Sequence, residues 1–392
     1  MDSVAKNKKI SIFGSTGSIG KSTVDILIKS KNFDVISISG GQNIKVLANQ
    51  ARLLNADLVV TAYDHLYDEL KALMADTNIR VAAGHKALVE AAEIYADIFV
   101  SSIIGFSGLN PTVRCLKHGS TLALANKESL VVAGQLLQNE SKRYGAQIIP
   151  IDSEHSGLFQ LLNGNKLQEV EKMIITASGG EFRNWPAENF SKITVKQASS
   201  HPTWKMGFRI TIDSNSMFNK AMELIETKEL FGINHEKIDV LVHPESIIHA
   251  LIGFKDGGMM AHLSKNDMKH AISYALNFPE RIPSGVTLLD FNTISTINFE
   301  MVSEIKFPAL RIARQVLEAG GLSGVVFNAS KEVALDRFIS TSITFDQMSI
   351  IVQKTLNWME KTERVSGLVC NLENIFQIDS KTRKFACKLI LD

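Results

Sequence analysis

Several polar side chains that could bind a ligand or take part in a reaction lie between His201 and Glu226. Four of them fall at the spacing i, i+3, i+4, i+7, which places them on one face of a helix: Ser216, Asn219, Lys220 and Glu223. A hydroxyl, an amide and an ammonium beside the first N–H groups of a helix suit a phosphate. A carboxylate one turn further along suits a metal ion or a proton transfer. The alternative is a solvated helix face with a chance Lys–Glu pair.

A pair of carboxylates follows the apolar run in the sequence IIPIDSEHSG, residues 148–157. Asp152 and Glu154 stand two residues apart, so in an extended chain both side chains point the same way. Carboxylate oxygens are ligands that Mg²⁺ or Mn²⁺ prefers, and Glu223 is the candidate for a third. His155 would point to the side opposite Glu154, which favours a structural role for this histidine.

A glycine-rich turn occurs in the sequence KKISIFGSTGSIG, residues 8–20. A short apolar strand precedes Gly14, Gly17 and Gly20, and a helical pattern follows them. The first glycine permits a tight turn, the second lets the backbone approach a pyrophosphate, and the third lets the helix pack on the strand. Strand, turn and helix in this order predict a dinucleotide-binding site.

The end of the next predicted strand, residues 33–39, indicates which dinucleotide is preferred. The residues there are Gly40, Gly41, Gln42 and Asn43, so no Asp or Glu is present to hold a ribose 2′-hydroxyl. Since a carboxylate would repel the 2′-phosphate of NADP, its absence favours NADP. Lys45 is the nearest basic residue.

Alternating strands and helices must position these residues. Further strands are predicted at residues 58–61, 79–82, 98–101, 120–125 and 173–177. The order β-α-β-α predicts a parallel sheet with helices on both faces. The strand at 120–125 ends in the polar sequence NKES, and ligands bind at such carboxyl ends.

The second half of the chain combines another sheet with helices. Residues 209–213 are predicted as a short strand, followed by a helix that Ser214 or Asn215 caps. Apolar runs at 238–252 and 258–263 predict a second, mixed sheet, in which His243 and His249 are structural or interfacial residues rather than metal ligands. Apolar residues at helical spacing after residue 308 predict a helical C-terminal region.

Bulk composition bounds the class of protein. The chain has 392 residues, 45% of them hydrophobic, which suffices for two or three domains. The 42 basic and 41 acidic residues nearly cancel, so charge gives no case for a nucleic acid or membrane partner. Three scattered cysteines, no secretory signal and no apolar run of roughly 20 residues predict a soluble, cytoplasmic protein.

The motifs together closely resemble one family. Residues 14–20 (GSTGSIG), 126–129 (NKES), 152–156 (DSEHS), 178–180 (SGG) and the block 201–223 resemble the 1-deoxy-D-xylulose 5-phosphate reductoisomerase family, from about residue 8 to the C-terminal helices. The resemblance implies a homodimer with an α/β fold. It implies a Rossmann-type NADPH-binding domain at 1–150 and a central catalytic domain at 151–284 with a lid (about 179–208) and a dimer sheet. A linker (285–308) and a C-terminal helical bundle (309–392) would follow.

The same resemblance assigns roles to individual residues. It implies that NADPH contacts Thr16, Gly17, Ser18, Ile19, Gly41, Gln42, Asn43, Asn126, Glu128 and Gly207. It implies that one divalent ion (Mg²⁺, Mn²⁺ or Co²⁺) binds Asp152, Glu154 and Glu223. The implied substrate contacts are Lys127, Ser153, Glu154, Ser178, His201, Trp204, Ser214, Asn219, Lys220 and Glu223. The implied catalytic residues are Lys127, Asp152, Glu154 and Glu223.

The implied reaction has two steps at one site. 1-Deoxy-D-xylulose 5-phosphate rearranges with the help of the metal, by retro-aldol cleavage and rejoining or by a 1,2-alkyl shift. NADPH then reduces the resulting aldehyde to 2-C-methyl-D-erythritol 4-phosphate. Lys127, and Glu154 or Glu223, are the implied proton-transfer groups. Lid closure, with Trp204 over the substrate, would retain the fragments.

The chain departs from the family pattern at several positions. Gln42 stands where the family often has a Lys, Phe208 replaces a basic residue, and Asn215-Ser216 replaces an Ala-Thr pair. Residues 328–332 read NASKE where NAANE is usual.

Two other functions compete with the family's. One is another NADP-dependent dehydrogenase, acting on a semialdehyde or sugar phosphate. This function would leave the three carboxylates unexplained, and no Cys lies in a turn of the kind that holds a catalytic nucleophile. A dinucleotide-sensing regulatory protein that has lost catalysis is disfavoured by the intact Lys127, Asp152, Glu154 and Glu223.

Overall fold

The computed structural model describes residues 7–30, 32–204 and 206–391, which fall into two compact units. Unit one contains the chain up to Asn126, Leu137–Ser156 and Asp267–Thr287. Unit two contains Lys127–Leu136, Gly157–Asn266 and the chain from Leu288 onward. The finer division at residues 150, 284 and 308 stays a prediction.

Unit one is built on a parallel sheet. Its strands are β1 (Lys8–Phe13), β2 (Phe33–Gly40), β3 (Leu58–Thr61), β4 (Arg80–Ala83), β5 (Ile98–Ser101), β6 (Thr121–Leu124) and β7 (Gln147–Pro150). The spatial order is β4-β3-β2-β1-β5-β6-β7, and every neighbouring pair is parallel. Strand order reverses at β1, which is the topological switch point where open α/β sheets bind ligands. The predicted Rossmann-type sheet is confirmed.

Helices alternate with these strands along the chain. They are α1 (Ser18–Lys29), α2 (Ile44–Leu54), α3 (Tyr67–Leu73), α4 (Gly84–Ala92), α5 (Leu109–Cys115), α6 (Lys127–Tyr144) and α7 (Ser153–Leu162). Ile10, Ile12 and Val100 on the central strands are completely buried. Continuous burial of this kind is expected where helices cover both faces of a parallel sheet.

Unit two contains the predicted second, mixed sheet. Its strands are β8 (Val170–Ala177), β9 (Ile238–Val242), β10 (Ile248–Phe254), β11 (Met259–Leu263) and β12 (Glu300–Met301), in the order β11-β10-β8-β9-β12. Only β8 and β9 run parallel, and the other pairs are antiparallel. Helices α8 (Val195–Ala198), α9 (Phe208–Asn215) and α10 (Phe218–Phe231) lie between β8 and β9 in the sequence.

The C-terminal region of unit two is helical, as predicted. After α11 (Lys269–Asn277), which belongs to unit one, the chain has little regular structure until residue 308. Its last helices are α12 (Pro308–Ala319), α13 (Ser323–Ile339), α14 (Gln347–Glu363) and α15 (Leu372–Lys388). Within the described ranges, none of the helices combines the length and the apolar character that spanning a bilayer requires.

The prediction of a strand at residues 209–213 is wrong, because these residues lie in helix α9. The alternation of apolar Ile210 and Ile212 with polar neighbours gave a period of two. In the structure, the carbonyl of Gly207 accepts hydrogen bonds from the backbone N–H and the hydroxyl of Thr211 (3.1 and 3.0 Å), which starts a helix. Strand preference inferred from such an alternation depends on context, and here the backbone forms helical hydrogen bonds instead.

The start of the following helix was also predicted wrongly. Ser214 and Asn215 do not cap it, since both belong to the last turn of α9. Met217, with φ 62° and ψ 7°, is the residue before α10. Ser216 therefore lies outside α10 and does not share a helix face with the polar residues that follow.

Candidate functional site

The glycine turn of unit one joins β1 to α1 as the sequence predicts. Thr16 and Gly17 lie in the turn, and Ser18 and Ile19 are the first residues of α1. A Cβ added at Gly20 would lie 2.2 Å from the carbonyl oxygen of Gly14, so only glycine fits there. Among the described residues, no side chain caps α1 and its first turn carries no acidic group. This leaves the helix N-terminus suited to a pyrophosphate.

A prediction follows for two glycines of this turn. Gly20→Ala places a methyl group against backbone, so we expect the free energy of unfolding to fall by about 3 kcal/mol. Gly17→Ala is the matched control, because its Cβ would meet backbone only at 3.5 Å. Thermal and denaturant unfolding of both variants measure the difference. Equal stability of the two would contradict the close approach of α1 to the turn.

The residues predicted to recognise the ribose end lie at the neighbouring strand β2. The backbone N–H groups of Gly14 and Ser15 both donate to the carbonyl of Ser39 (3.2 and 2.7 Å), which ties the turn to the end of β2. Gly41 and Gln42 follow this strand, and Asn43 caps α2 by accepting from the N–H of Val46 (3.4 Å). The sequence GGQN contains no carboxylate. The two segments together fit a dinucleotide whose ribose carries a 2′-phosphate.

The acidic pair lies where β7 ends, but its geometry differs from the prediction. Helix α7 begins at Ser153, so Glu154 stands in its first turn rather than in an extended chain. The backbone N–H of Glu154 donates to Oδ1 of Asp152 (3.4 Å), and the hydroxyl of Ser153 donates to the Glu154 carboxylate. Nδ1 of the buried His155 lies 3.4 Å from Oδ1 of Asp152. Both carboxylates therefore lie beside one helix N-terminus.

A buried ionic cluster in unit two surrounds Glu223. Nζ of Lys127 lies 2.9 Å from both Oε1 of Glu223 and Oδ1 of Asn219. Nδ2 of Asn219 donates to Oε1 of Glu223 (2.6 Å), and the ammonium of Lys220 donates to Oε2. Lys127, Lys220 and Glu223 are 8%, 4% and 1% exposed. Burial excludes the alternative of a solvated helix face.

A second group in unit two is centred on His201. Its Nε2 lies 3.1 Å from the hydroxyl of Ser178 and 3.2 Å from that of Ser214. Its Nδ1 accepts the backbone N–H groups of Thr203 and Trp204 (3.1 and 2.9 Å), so the proton of the neutral ring resides on Nε2. Burial lowers the pKa of His201 to about 4, and the ring is therefore neutral at pH 7.

Asn215 is a site residue that the sequence did not reveal. Its Oδ1 accepts from the backbone N–H of Glu181 (2.7 Å), and its Nδ2 donates to the carbonyls of Ala198 and Ser200 (2.9 and 2.7 Å). The side chain thus fixes the turn after Ser178 against the segment before His201. The sequence indicates Asn215 only as a candidate helix cap and a departure from the family pattern, and the complete burial of its amide in the structure is what signals this role.

The segment predicted as a lid, residues 179–208, is anchored at its start. The ring of the fully buried Phe182 contacts Trp185 and Phe345 at centroid distances of 5.1 and 5.4 Å. Further along, the indole of Trp204 approaches the ring of His249 edge-on at 6.1 Å. Residues 199–207 contain no helix or strand among the described positions.

The remaining predicted cofactor contacts are distributed between the units. Asn126 lies in unit one, where its Nδ2 donates to the carbonyls of Ile103 and Gly105 (2.5 and 3.0 Å). Glu128, in the first turn of α6, and Gly207, immediately before α9, lie in unit two.

Comparisons with known proteins agree along the chain. The profile described as 1-deoxy-D-xylulose 5-phosphate reductoisomerase matches residues 10–134, that of its C-terminal domain matches 148–231, and a DXP reductoisomerase C-terminal domain matches 263–385. The 1-deoxy-D-xylulose 5-phosphate reductoisomerase of Jannaschia sp. (strain CCS1) is 49% identical over 382 residues, covering 97% of each chain. That of Ruegeria pomeroyi is 49% identical over 378 residues, covering 96% of each.

Solved structures match equally well. The reductoisomerase from Zymomonas mobilis in complex with NADPH superposes with a TM-score of 0.91 at 37% identity, covering 97% of this chain and 98% of that one. A DOX-P reductoisomerase in complex with NADPH, fosmidomycin and magnesium gives a TM-score of 0.91 at 33% identity, covering 97% of each chain. The buried lysine–glutamate cluster, the glycine turn and these matches have one explanation: the chain belongs to the 1-deoxy-D-xylulose 5-phosphate reductoisomerase family.

Proposed function

We propose that this protein converts 1-deoxy-D-xylulose 5-phosphate to 2-C-methyl-D-erythritol 4-phosphate, an isoprenoid precursor, using NADPH and a divalent metal ion. The observation that carries the proposal is the buried cluster of Lys127, Asn219, Lys220 and Glu223. Two ammonium groups and a carboxylate are costly to bury, and such groups are characteristic of catalytic sites. In a reductoisomerase these charged groups bind the metal ion and the substrate, whereas a regulatory protein that has lost catalysis does not require them.

The pyrophosphate and the adjoining ribose of NADPH are assigned to unit one. Related structures contain NADPH, and the turn at 16–19 together with residues 41–43 fits a dinucleotide with a 2′-phosphate. Bound there, NADPH supplies the hydride of the reduction. Asn126, Glu128 and Gly207 complete the proposed contacts.

A divalent metal ion is assigned to Asp152, Glu154 and Glu223. The donor set is all carboxylate oxygen, which suits Mg²⁺, Mn²⁺ or Co²⁺. Related structures contain magnesium. These three carboxylates would hold the ion, which would supply Lewis-acid polarisation of the substrate.

The substrate phosphate is assigned to Ser178, Ser214, Asn219 and Lys220. Support comes from the Nε2–H of His201, which donates toward Ser178 and Ser214 and orients their hydroxyls. The carbon skeleton would then contact Lys127, Ser153 and Glu154. Trp204 would cover it and exclude water while the fragments are reactive.

Lys127 is assigned as the principal proton-transfer residue. Its ammonium is held by Asn219 and Glu223, both at 2.9 Å, so its position is fixed before the substrate arrives. A fixed donor can stabilise negative charge on a substrate oxygen without reorganisation. Glu154 and Glu223 are the candidate groups for accepting a proton from the substrate.

The test follows NADPH absorbance in the presence of 1-deoxy-D-xylulose 5-phosphate. We expect turnover with Mg²⁺ or Mn²⁺ and none after chelation, with NADH a poorer donor than NADPH. The branched product is identified by NMR. Oxidation of NADPH with a semialdehyde, or reduction of a sugar phosphate without rearrangement of its carbon skeleton, would instead favour the competing dehydrogenase function.

We also infer a homodimer that forms along β11, an edge strand of the mixed sheet. Met259 and Met260 on this strand are 59% and 44% exposed. An exposed apolar edge strand is a surface for pairing with another chain. We expect Met259→Lys/Met260→Lys to be monomeric by light scattering, while Ile350→Lys, at an exposed position of α14, remains dimeric. A wild-type monomer at micromolar concentration would contradict the inference.

A cytoplasmic location stays a prediction.

A further inference from the structure

Lys331 of α13 carries a buried ammonium group that is not among the proposed substrate contacts. Its Nζ lies 2.9 Å from Oδ2 of Asp213 on α9, and the two side chains are only 5% and 11% exposed. Breaking a buried ion pair on one side leaves an uncompensated charge, which is far more costly than losing an exposed pair. The pair therefore constrains α9 relative to α13.

Asp213 lies beside residues that the proposed function uses. Ser214 follows it directly, and Met217 adopts a left-handed backbone conformation before α10 begins. We call residues 213–219 the corner, since they connect α9 to α10. The corner carries Ser214 near one end and Asn219 at the other, both assigned to the phosphate. Any shift of the corner would therefore alter the phosphate site.

The same face of α13 touches the corner a second time. Phe327 precedes Lys331 by four residues, and its ring lies 6.0 Å from that of Phe218. One helix face thus holds the corner through an ion pair at Asp213 and through an aromatic contact at Phe218.

Helix α13 also packs on the helix that carries Lys127. A Cβ added at Gly324 would lie 2.1 Å from the carbonyl oxygen of Val131, so the start of α13 touches the backbone of α6 directly. Burial raises the pKa of the neighbouring Glu128 carboxyl, and the Lys331 ammonium partly offsets this rise. The position of Lys331 is supported in turn by Glu332, which pairs with Arg383 of α15 at 2.7 Å.

We propose that Lys331 is a positioning residue for phosphate binding, because its charge holds the corner where Ser214 and Asn219 can contact the substrate. The proposal rests on the proposed function. Without the ammonium, Asp213 becomes a buried carboxylate with less compensation, and the end of α9 relaxes toward water. Lys331 itself touches no substrate in this arrangement.

The test uses Lys331→Gln, which retains a hydrogen-bond donor on a side chain one bond shorter and removes the charge. We expect the Kd for 1-deoxy-D-xylulose 5-phosphate, measured by calorimetry with Mg²⁺ and without NADPH, to rise about tenfold. KM should rise equally, while kcat and the Kd for NADPH change less than about threefold. The double variant Lys331→Met/Asp213→Asn removes both charges and should recover most of the affinity.

Controls separate positioning from general stability. Lys381→Gln removes a half-buried pair with Glu363 (2.7 Å) that is assigned no role at the site, and it should leave all constants unchanged. Wild-type affinity in Lys331→Gln, or a folded double variant that binds no better than the single one, would overturn the proposal. If Lys331→Gln does not fold, Lys331→Arg replaces it, because arginine keeps the positive charge. This variant must bind the substrate as the wild type does. Weaker binding by folded Lys331→Arg would overturn the proposal. Absence of turnover in the wild-type protein would instead overturn the proposed function.

Discussion

Replacement of Glu223 by glutamine is expected to lower kcat by about 10³-fold. The carboxylate is 1% exposed and compensates the ammonium groups of Lys127 and Lys220. Glutamine preserves the shape of the side chain but removes the negative charge that a divalent ion requires. A Lewis-acid contribution of several kcal/mol corresponds to a rate effect of this size. The measurement is NADPH oxidation at saturating substrate over a range of Mg²⁺ concentrations.

Two further measurements make the Glu223 result specific. The affinity for Mn²⁺, followed by electron paramagnetic resonance, should fall, while the Kd for NADPH should be unchanged. Glu229→Gln is the matched control on the same helix, because Glu229 pairs with the adjacent Lys228 (2.6 Å) and is assigned no role in the reaction. Near-normal kcat in Glu223→Gln would remove Glu223 from the metal site.

Replacement of Lys220 by methionine is expected to raise KM for the sugar phosphate by about 10²-fold. Methionine keeps most of the buried aliphatic volume of the side chain and removes only the ammonium. Lys220 as a whole residue is 4% exposed. A charge-assisted hydrogen bond contributes about 1.5–3 kcal/mol, and the loss of attraction to a dianionic phosphate adds to it. Steady-state kinetics at saturating NADPH provide the measurement.

The effect of Lys220→Met should depend on the phosphate. Inorganic phosphate, used as a competitive inhibitor, should lose potency against this variant in parallel with the substrate. Lys228→Met, two turns further along α10 and 38% exposed at the side chain, should leave both constants unchanged. An unchanged KM with a reduced kcat would assign Lys220 to the rearrangement rather than to the phosphate.

The sequence alone determined the local units of this protein. Strand β1, the glycine turn and α1 occupy a single short segment, so the spacing of Gly14, Gly17 and Gly20 suffices to predict their geometry. The parallel sheet followed from alternating strand and helix patterns, and its strands at 58–61 and 98–101 were located to the residue. The polar residues of α10 were recognised because three of them share one helical face.

The way in which distant residues combine follows from the folded chain and not from any local pattern. Lys127 and Glu223 are separated by 96 positions, and no local spacing predicts that they share a buried ion pair. Residues 209–213 lie in helix α9, where Asp213 and Asn215 have buried partners from distant segments, and a period-two pattern does not encode such contacts. For the same reason Lys331, 118 positions from Asp213, was visible in the sequence only as a departure from the family pattern. Burial makes the loss of either partner of such a pair costly, and burial is a property of the folded chain rather than of any segment within it.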